Sequence, residues 1–343
     1  SLDGIDAAFI RTDGRREVAT GPSLTLPYAD ALKEQVRATL GGRGPVMEVE
    51  RALTLAHAHA VKTLIARHEL GPIDVIGFHG HTILHRPAER RTWQIGDGAY
   101  LADLTGIDVV GDFRSRDVAA GGQGAPLVPL FHAALASALE RPLAILNIGG
   151  VANLTWLGES DEEILAFDTG PGNALLDDWA LHHTGVAVDE DGRLARAGRV
   201  DFAHLERFLA HSFFAEAPPK SLDRDDFAQW RPDHLSAADG AATLAAMTTA
   251  AIARAAAHFP GKVRQFLVTG GGRHNPVLMA GLAQRLGLPV APVEAVGWDG
   301  DGLEAQAFAY LAVRSLAGLP LSLPTTTGVP TPLTGGTLFR RGV

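Results

Sequence analysis

The stretch Phe167-Asp168-Thr169-Gly170-Pro171-Gly172-Asn173 decides how the rest of the chain is read. Its apolar lead-in, Ile164-Leu165-Ala166-Phe167, predicts a buried strand that ends at a single carboxylate. Two glycines and a proline then force a turn, and Asn173 is placed to cap a helix beginning Ala174-Leu175-Leu176. Such a turn holds one aspartate beside backbone N–H groups and the positive end of a helix. The N–H groups suit an anion, and the carboxylate suits a general base next to it. The same residues also make an ordinary capped turn whose aspartate only satisfies the backbone.

Outward from this turn, strand-like and helix-like segments alternate. Val49, Leu53, Ala56, Ala60 and Leu64 recur at helical spacing and predict an amphipathic helix from Val46 to His68. Asp74 to Phe78 and Ile107 to Gly111 read as strands, and Ala125 to Ala138 as a helix after a glycine-rich loop. Leu143 to Leu146 and Ala152 to Trp156 read as a hairpin pair around Asn147-Ile148-Gly149-Gly150. Ala237 to His258 is alanine-rich and helical, Val263 to Val268 a strand, and Leu303 to Ala317 a last long helix before a Pro/Thr/Gly-rich tail. This alternation predicts an α/β fold with mixed sheets flanked by helices.

At 343 residues the chain is expected to form two domains, and its 46% hydrophobic content supplies two cores. No apolar run approaches the roughly 18 residues of a membrane span, and no secretory leader opens the sequence, so neither a membrane nor export is expected. With no cysteine, disulfides, thiolate nucleophiles and Cys-ligated zinc are excluded, which suits a cytoplasmic protein. The net charge of −9 argues against nucleic acid as a partner. Only Lys33, Lys62, Lys220 and Lys262 are lysines, so an anionic substrate would be met mainly by arginine.

Three glycine-centred turns follow strands: Asn147 to Gly150, Asp168 to Gly172, and Thr269-Gly270-Gly271-Gly272. A fourth, Ser1-Leu2-Asp3-Gly4-Ile5-Asp6, opens the chain. Glycine lets a backbone approach a phosphate and aim several N–H groups at it. None of the four is a Walker P-loop or a G-x-G-x-x-G dinucleotide turn.

Together with Gly77-Phe78-His79-Gly80-His81-Thr82, Gln94-Ile95-Gly96, the block from Gly111 to Pro129, Leu146 to Thr155, and Pro218-Pro219-Lys220-Ser221, these turns make the chain resemble the anhydro-N-acetylmuramic acid kinase family. That family lies within the actin-like ATPase and sugar kinase superfamily. The resemblance runs from the first residue to about Gly328. It implies a two-domain actin-like (ribonuclease H-like) fold with a central cleft. Residues 1–126 would carry the first phosphate turn and a sugar-binding wall. Residues 127–343 would carry the second phosphate turn, the base and an adenosine turn, with the tail packing back on the N-terminal domain. In the family a strand ending Met-Ser-Gly-Thr precedes the first phosphate loop. This sequence starts at the following serine, so that clasp is expected to be half built here.

The implied reaction has two parts. Water attacks the anomeric carbon of 1,6-anhydro-N-acetylmuramic acid, and the freed oxygen at carbon 6 takes the γ-phosphate of ATP, a step of cell-wall (peptidoglycan) recycling. Asp168 matches the base. Ser1, Leu2, Asp3, Gly4, Ile5 and Asp6 match the first phosphate turn, with Asp3 holding Mg²⁺. Asn147, Gly149, Gly150 and Thr155 match the second, Gly170 and Gly172 beside the base would also meet the nucleotide, and Gly270, Gly271 and Gly272 match the adenosine turn. Arg114, Arg116 and Asp117 would meet the lactyl carboxylate, for which arginine is the better partner; a structural Arg–Asp network is the competing reading. Gln123, Gly124, Ala125 and Pro126 would line the same wall, with His79 and Thr82 on sugar hydroxyls or the N-acetyl group. Glu304 either reaches the site or is simply a helix-start carboxylate. The family also implies a homodimer. Rival readings are another sugar kinase of the superfamily acting on an intact amino sugar, a chaperone-like ATPase, and a glycoside hydrolase with paired carboxylates.

Overall fold

The computed structural model describes residues 4–342. It divides into two compact units, one of Ser1–Ala138 with Asp301–Val343 and one of Leu139–Gly300. Among the described residues the strands are β1 (Gly4–Thr12), β2 (Val18–Pro27), β3 (Ile76–Gly77), β4 (His81–Arg86), β5 (Arg91–Ile95), β6 (Val109–Gly111), β7 (Leu143–Ile148), β8 (Val151–Leu157), β9 (Ile164–Pro171), β10 (Phe266–Thr269), β11 (Val290–Pro292) and β12 (Thr337–Phe339).

The second unit is built on one five-stranded sheet in the order β11-β10-β7-β8-β9. β7 runs parallel to β10, and β10 to β11, whereas β8 is antiparallel to both β7 and β9. Counted in chain order from the β9 edge this is 3-2-1-4-5 with only the second strand reversed, the ribonuclease H-like arrangement. Leu143, Ala144, Ile145 and Leu146 are all buried, because this central strand is covered on both faces and has no solvent side to alternate towards. Helix Ala237–Ala255 is buried almost throughout, and its alanines let neighbours approach closely. At Gly240 even a Cβ would lie 2.5 Å from Cε2 of Trp179.

The first unit holds the β1–β2 hairpin, the β4–β5 hairpin, and a three-stranded sheet in the order β12-β6-β3. Helix Val46–Arg67 matches the sequence expectation, and its Val49, Leu53, Ala60 and Leu64 pack with Ile5 of β1, Leu24 of β2 and Ile95 of β5. Helix Leu303–Leu316 belongs to this unit as well. A Cβ on Gly77 of β3 would come within 2.5 Å of the Phe308 carbonyl carbon, so only glycine admits the contact. The Tyr310 hydroxyl donates to the carbonyl of Arg15, and Arg314 donates to that of Gly14, which pins the β1–β2 turn.

Two local expectations are corrected. β9 does not end at Asp168: its ladder with β8 continues through Gly170 and Pro171, across a bulge opposite Ala152 and Asn153. β9 is an edge strand, so a proline without an N–H leaves no missing ladder bond on its outer side. The helix expected over Ala125 to Ala138 spans only Pro129–Leu135, followed by a 3₁₀ turn. Pro129 occupies the first helical turn, where its absent N–H costs nothing.

Candidate active site

In the second unit three glycine turns converge. The β7–β8 turn and the turn after β9 are joined backbone to backbone. Gly172 N–H donates to the Gly150 carbonyl at 2.9 Å, Asn173 N–H to Gly149 at 2.7 Å, and Ala174 N–H to Gly150 at 3.3 Å. At the start of helix Ala174–Thr184 the N–H groups of Asn173 and Ala174 are therefore engaged by the neighbouring turn. Asn173 also makes no side-chain cap. Its amide donates to the Ile148 carbonyl at 3.0 Å, which ties the helix start to the end of β7.

The carbonyls of Gly149 and Gly150 thus point at the helix. Their own N–H groups have no hydrogen-bond partner among the described residues, and Gly150 is exposed. Adjacent N–H groups of a glycine turn are donors that an anion can use. The third turn packs beside it. Gly270 sits at φ +76°, and a Cβ there would lie 2.7 Å from the Ile148 carbonyl oxygen; one on Gly272 would lie 2.6 Å from Cβ of Ile148. Arg273 braces this turn by donating to Glu294 at 2.8 Å and to the Gly270 carbonyl at 3.0 Å. Beyond it, Asn275 caps helix Pro276–Leu286 by accepting from Val277 and Leu278.

Asp168 lies 7% exposed on β9. Its carboxylate accepts from Leu222 N–H at 2.8 Å, and its own N–H donates to the Lys220 carbonyl at 2.9 Å. The sheet register places it in a polar row. Thr269 is opposite Asn147, Asn147 opposite Asn153, and Asn153 opposite Asp168. Directly opposed residues share a face of the sheet, so four polar side chains from four neighbouring strands line up beneath the glycine turns. Asn153 and Thr269 were not singled out in the sequence. The signal available was the hairpin register, which pairs Asn147 with Asn153. Thr155, assigned to the phosphate turn, is fully buried in mid-strand between Ile145 and Ala166. Gly170 is packed against Ala251 and Phe214.

In the first unit, Arg114 organises the expected sugar wall. Its Nε donates to Nε2 of His79 at 2.8 Å, and its Nη1 to the Gly124 carbonyl at 2.6 Å. Guanidinium can only donate, so Nε2 of His79 is the acceptor and its Nδ1 donates to the Gly80 carbonyl at 2.9 Å. Burial, reinforced by the Arg114 charge, holds His79 well below the ordinary histidine range and keeps it neutral. Asp117 is buried; it accepts from Gly124 N–H at 2.6 Å and from the Thr327 hydroxyl at 2.7 Å. Gln123 N–H donates to the Thr327 carbonyl. The loop that includes Ala125 and Pro126 is thus strapped to the C-terminal segment. Arg116 is exposed and donates to the Thr334 hydroxyl. Both arginines therefore make hydrogen bonds within the chain itself.

Thr82 accepts from Gln94 at 3.1 Å. A cavity of about 250 Å³ opens here, lined by His79, Trp93, Gln94, Asp112 and Ser115 among others. Asp112 adopts φ +51°, a conformation that non-glycine residues rarely hold. Trp93, Gln94, Asp112 and Ser115 stood outside the expected site, and their convergence comes from helix Ser115–Ala119 and the turn before it packing against β5. Glu304 is exposed in the first turn of its helix. Of the first phosphate turn, Ser1, Leu2 and Asp3 lie outside the described residues. Gly4, Ile5 and Asp6 belong to β1, and Asp6 accepts from Thr25 of β2 at 2.6 Å. No cluster of three or more His, Asp or Glu able to hold a metal occurs among the described residues, and no described helix is long and apolar enough to cross a membrane.

The family model for anhydro-N-acetylmuramic acid kinase matches residues 1–341. Relatives carrying that name include one from Paramagnetospirillum magneticum, 60% identical over 98% of this chain and 96% of its own length. Another, from Acidiphilium cryptum, is 58% identical over 100% and 96%, and one from Rhodospirillum rubrum is 56% identical over 99% and 92%. Among solved structures, a ROK family glucokinase from Streptomyces griseus with glucose and AMPPNP is 13% identical, with a TM-score of 0.41 over 90% of this chain and 95% of that one. A family match over nearly the whole length, with relatives above half identity, leaves one conclusion: the chain belongs to the anhydro-N-acetylmuramic acid kinase family.

Proposed function

We propose that this chain uses ATP to phosphorylate 1,6-anhydro-N-acetylmuramic acid at O6 while water opens the anhydro bridge, giving N-acetylmuramic acid 6-phosphate for cell-wall recycling. The observation that carries the reading is the carboxylate of Asp168, fixed by Leu222 N–H in a polar row beneath two unpaired glycine N–H groups.

Asp168 takes a proton from water as the water oxygen bonds to C1. The C1–O6 bond breaks, O6 keeps its electron pair, and it attacks the γ-phosphorus as ADP leaves. The proton on Asp168 then passes to solvent. Phosphoryl transfer gives the protein little covalent work, so positioning and charge stabilisation dominate. Gly149 and Gly150 N–H groups would donate to the phosphates, and donors held by a fixed turn need little rearrangement during the reaction. Gly270, Gly271 and Gly272 would take the adenosine side. In the first unit Arg114, neutral His79, Thr82 and the Gln123–Pro126 loop are the groups assigned to the sugar. Arg116, Asp117 and Glu304 remain assigned there on the resemblance alone, as do Thr155, Gly170 and Gly172 for the nucleotide. Mg²⁺ and a homodimer likewise rest on the resemblance, and a cytoplasmic location is proposed from the cysteine-free composition. The ion's assigned holder, Asp3, lies outside the described residues, so no step is routed through it.

The test is an ATP-dependent assay with the anhydro-sugar in H₂¹⁸O. One ¹⁸O atom at the anomeric hydroxyl of each phosphorylated product is expected. Phosphorylation without label would instead mark a kinase acting on an intact amino sugar, and no phosphorylation would reject the proposal.

A further inference from the structure

Lys220 is a buried cation that makes no ion pair among the described residues, although the charge of Glu216 acts on it. It is 7% exposed, and its ammonium donates to the carbonyls of Phe213 at 2.7 Å and Glu216 at 2.9 Å. It lies 4.4 Å from the Phe213 ring centroid and 5.9 Å from that of Phe167, the residue next to Asp168. Burial lowers its pKa, the mark of a charge kept out of water at a cost. Phe213 and Phe167 belong to the unit's main hydrophobic core.

The backbone of the same short segment runs along the outer edge of β9. The Lys220 carbonyl accepts from Asp168 N–H at 2.9 Å, and Leu222 N–H donates to Oδ2 of Asp168 at 2.8 Å. Residues 220–222 thus form a strap fixed at both ends, by the Lys220 side chain to the core and by its backbone to Asp168. An edge strand has no further strand on that side, and there the strap bonds Asp168 through both its backbone N–H and its carboxylate.

We infer that Lys220 is a positioning residue for the reaction: its ammonium, locked on two carbonyls, holds the 220–222 strap so that Leu222 N–H aims the Asp168 carboxylate. This rests on Asp168 being the base. A misplacement of about 1 Å in a reacting group can cost about 100-fold in rate, whereas substrate affinity, made by other groups, need not change.

The experiment measures kcat and KM for ATP and for 1,6-anhydro-N-acetylmuramic acid in Lys220→Met, Lys220→Arg and Asp168→Asn, with folding followed by circular dichroism. Lys220→Met is expected to lower kcat about 10- to 100-fold with both KM values within about twofold of wild type. It also takes a donor from the Glu216 carbonyl, while the Phe213 carbonyl keeps Glu216 N–H, and it can fail to fold, so Lys220→Arg decides the matter independently. Arginine keeps the charge, but its longer planar fork does not put one nitrogen between the Phe213 and Glu216 carbonyls. A folded Lys220→Arg protein with kcat lowered about tenfold and unchanged KM supports the inference. Wild-type kcat in Lys220→Arg, or in a folded Lys220→Met, overturns it, as does loss expressed only in KM or in melting temperature. If Asp168→Asn turns over normally, the base assignment itself falls. If Asp168→Asn is inactive while the Lys220 variants are normal, only the role of Lys220 falls.

Discussion

Replacing Asp168 separates its chemistry from its structural role, because asparagine and alanine treat its hydrogen bond differently. In the protein the carboxylate accepts from Leu222 N–H at 2.8 Å while 7% exposed. The Asp168→Asn substitution keeps an oxygen in the same place, so Leu222 stays paired. The loss is then the difference between a charge-assisted and a neutral hydrogen bond, about 1 kcal/mol. Asp168→Ala leaves the half-buried Leu222 N–H without this acceptor, at about 1–3 kcal/mol, and removes side-chain packing as well. Neither variant touches the Gly149–Gly150 turn, so nucleotide binding should persist in both. Turnover should not: removing a general base typically costs about 10²- to 10⁴-fold. The assays are urea unfolding for stability, calorimetric titration with a non-hydrolysable ATP analogue for binding, and ADP release for turnover. Asp168→Asn is expected to bind the analogue as wild type does, stay within about 1 kcal/mol in stability, and lose at least about 100-fold in kcat. A kcat within about tenfold of wild type would refute the general-base role. An Asp168→Ala protein as stable as Asp168→Asn would refute the bond to Leu222.

Arg114→Ala removes the donor to both His79 and the Gly124 carbonyl, so the wall should slacken. The sugar Kd is expected to rise about tenfold or more, since charge-assisted bonds contribute about 1.5–3 kcal/mol each, with ATP affinity unchanged by titration. Gly272→Val should drive the adenosine turn away from Ile148 and weaken ATP-analogue binding without altering sugar binding; equal affinity would remove that turn from the nucleotide site. His132, buried in helix Pro129–Leu135, has its pKa pushed down to about 3 from the ordinary 6.5 by burial. Below pH 6.5 the unfolded chain takes up this proton and the folded one does not, so the stabilisation is complete above pH 6.5 and is lost as pH falls towards the folded value. Between about pH 8 and about pH 5 this group should account for about 2 kcal/mol, read as the difference in the pH dependence of urea unfolding between wild type and His132→Asn; parallel curves would contradict it.

Some features could be read locally because the forces that make them are local. The period of Val49, Leu53, Ala60 and Leu64 gives the helix Val46–Arg67 to within a residue. The apolar run of Leu143 to Leu146 gives a central strand, and the glycines mark where β7, β9 and β10 turn. Pro171 misleads at short range: it reads as a strand stop, but at the sheet edge its missing N–H faces no partner, and β9 runs on.

What tertiary structure alone decided is which groups meet. Asp168 and Leu222 stand 54 residues apart and Arg114 and His79 35 apart, distances over which no propensity or spacing rule acts. Strand register brings Thr269, Asn147, Asn153 and Asp168 into one row although each is an ordinary polar residue in its own segment. Asn173 looks like a cap in sequence, yet its amide is taken by the Ile148 carbonyl, because Gly172 lets the two turns close on one another. Backbone preference and apolar period draw the elements from the chain itself; the pairing of polar groups waits on packing, because a donor chooses its acceptor only once burial has taken water away from both.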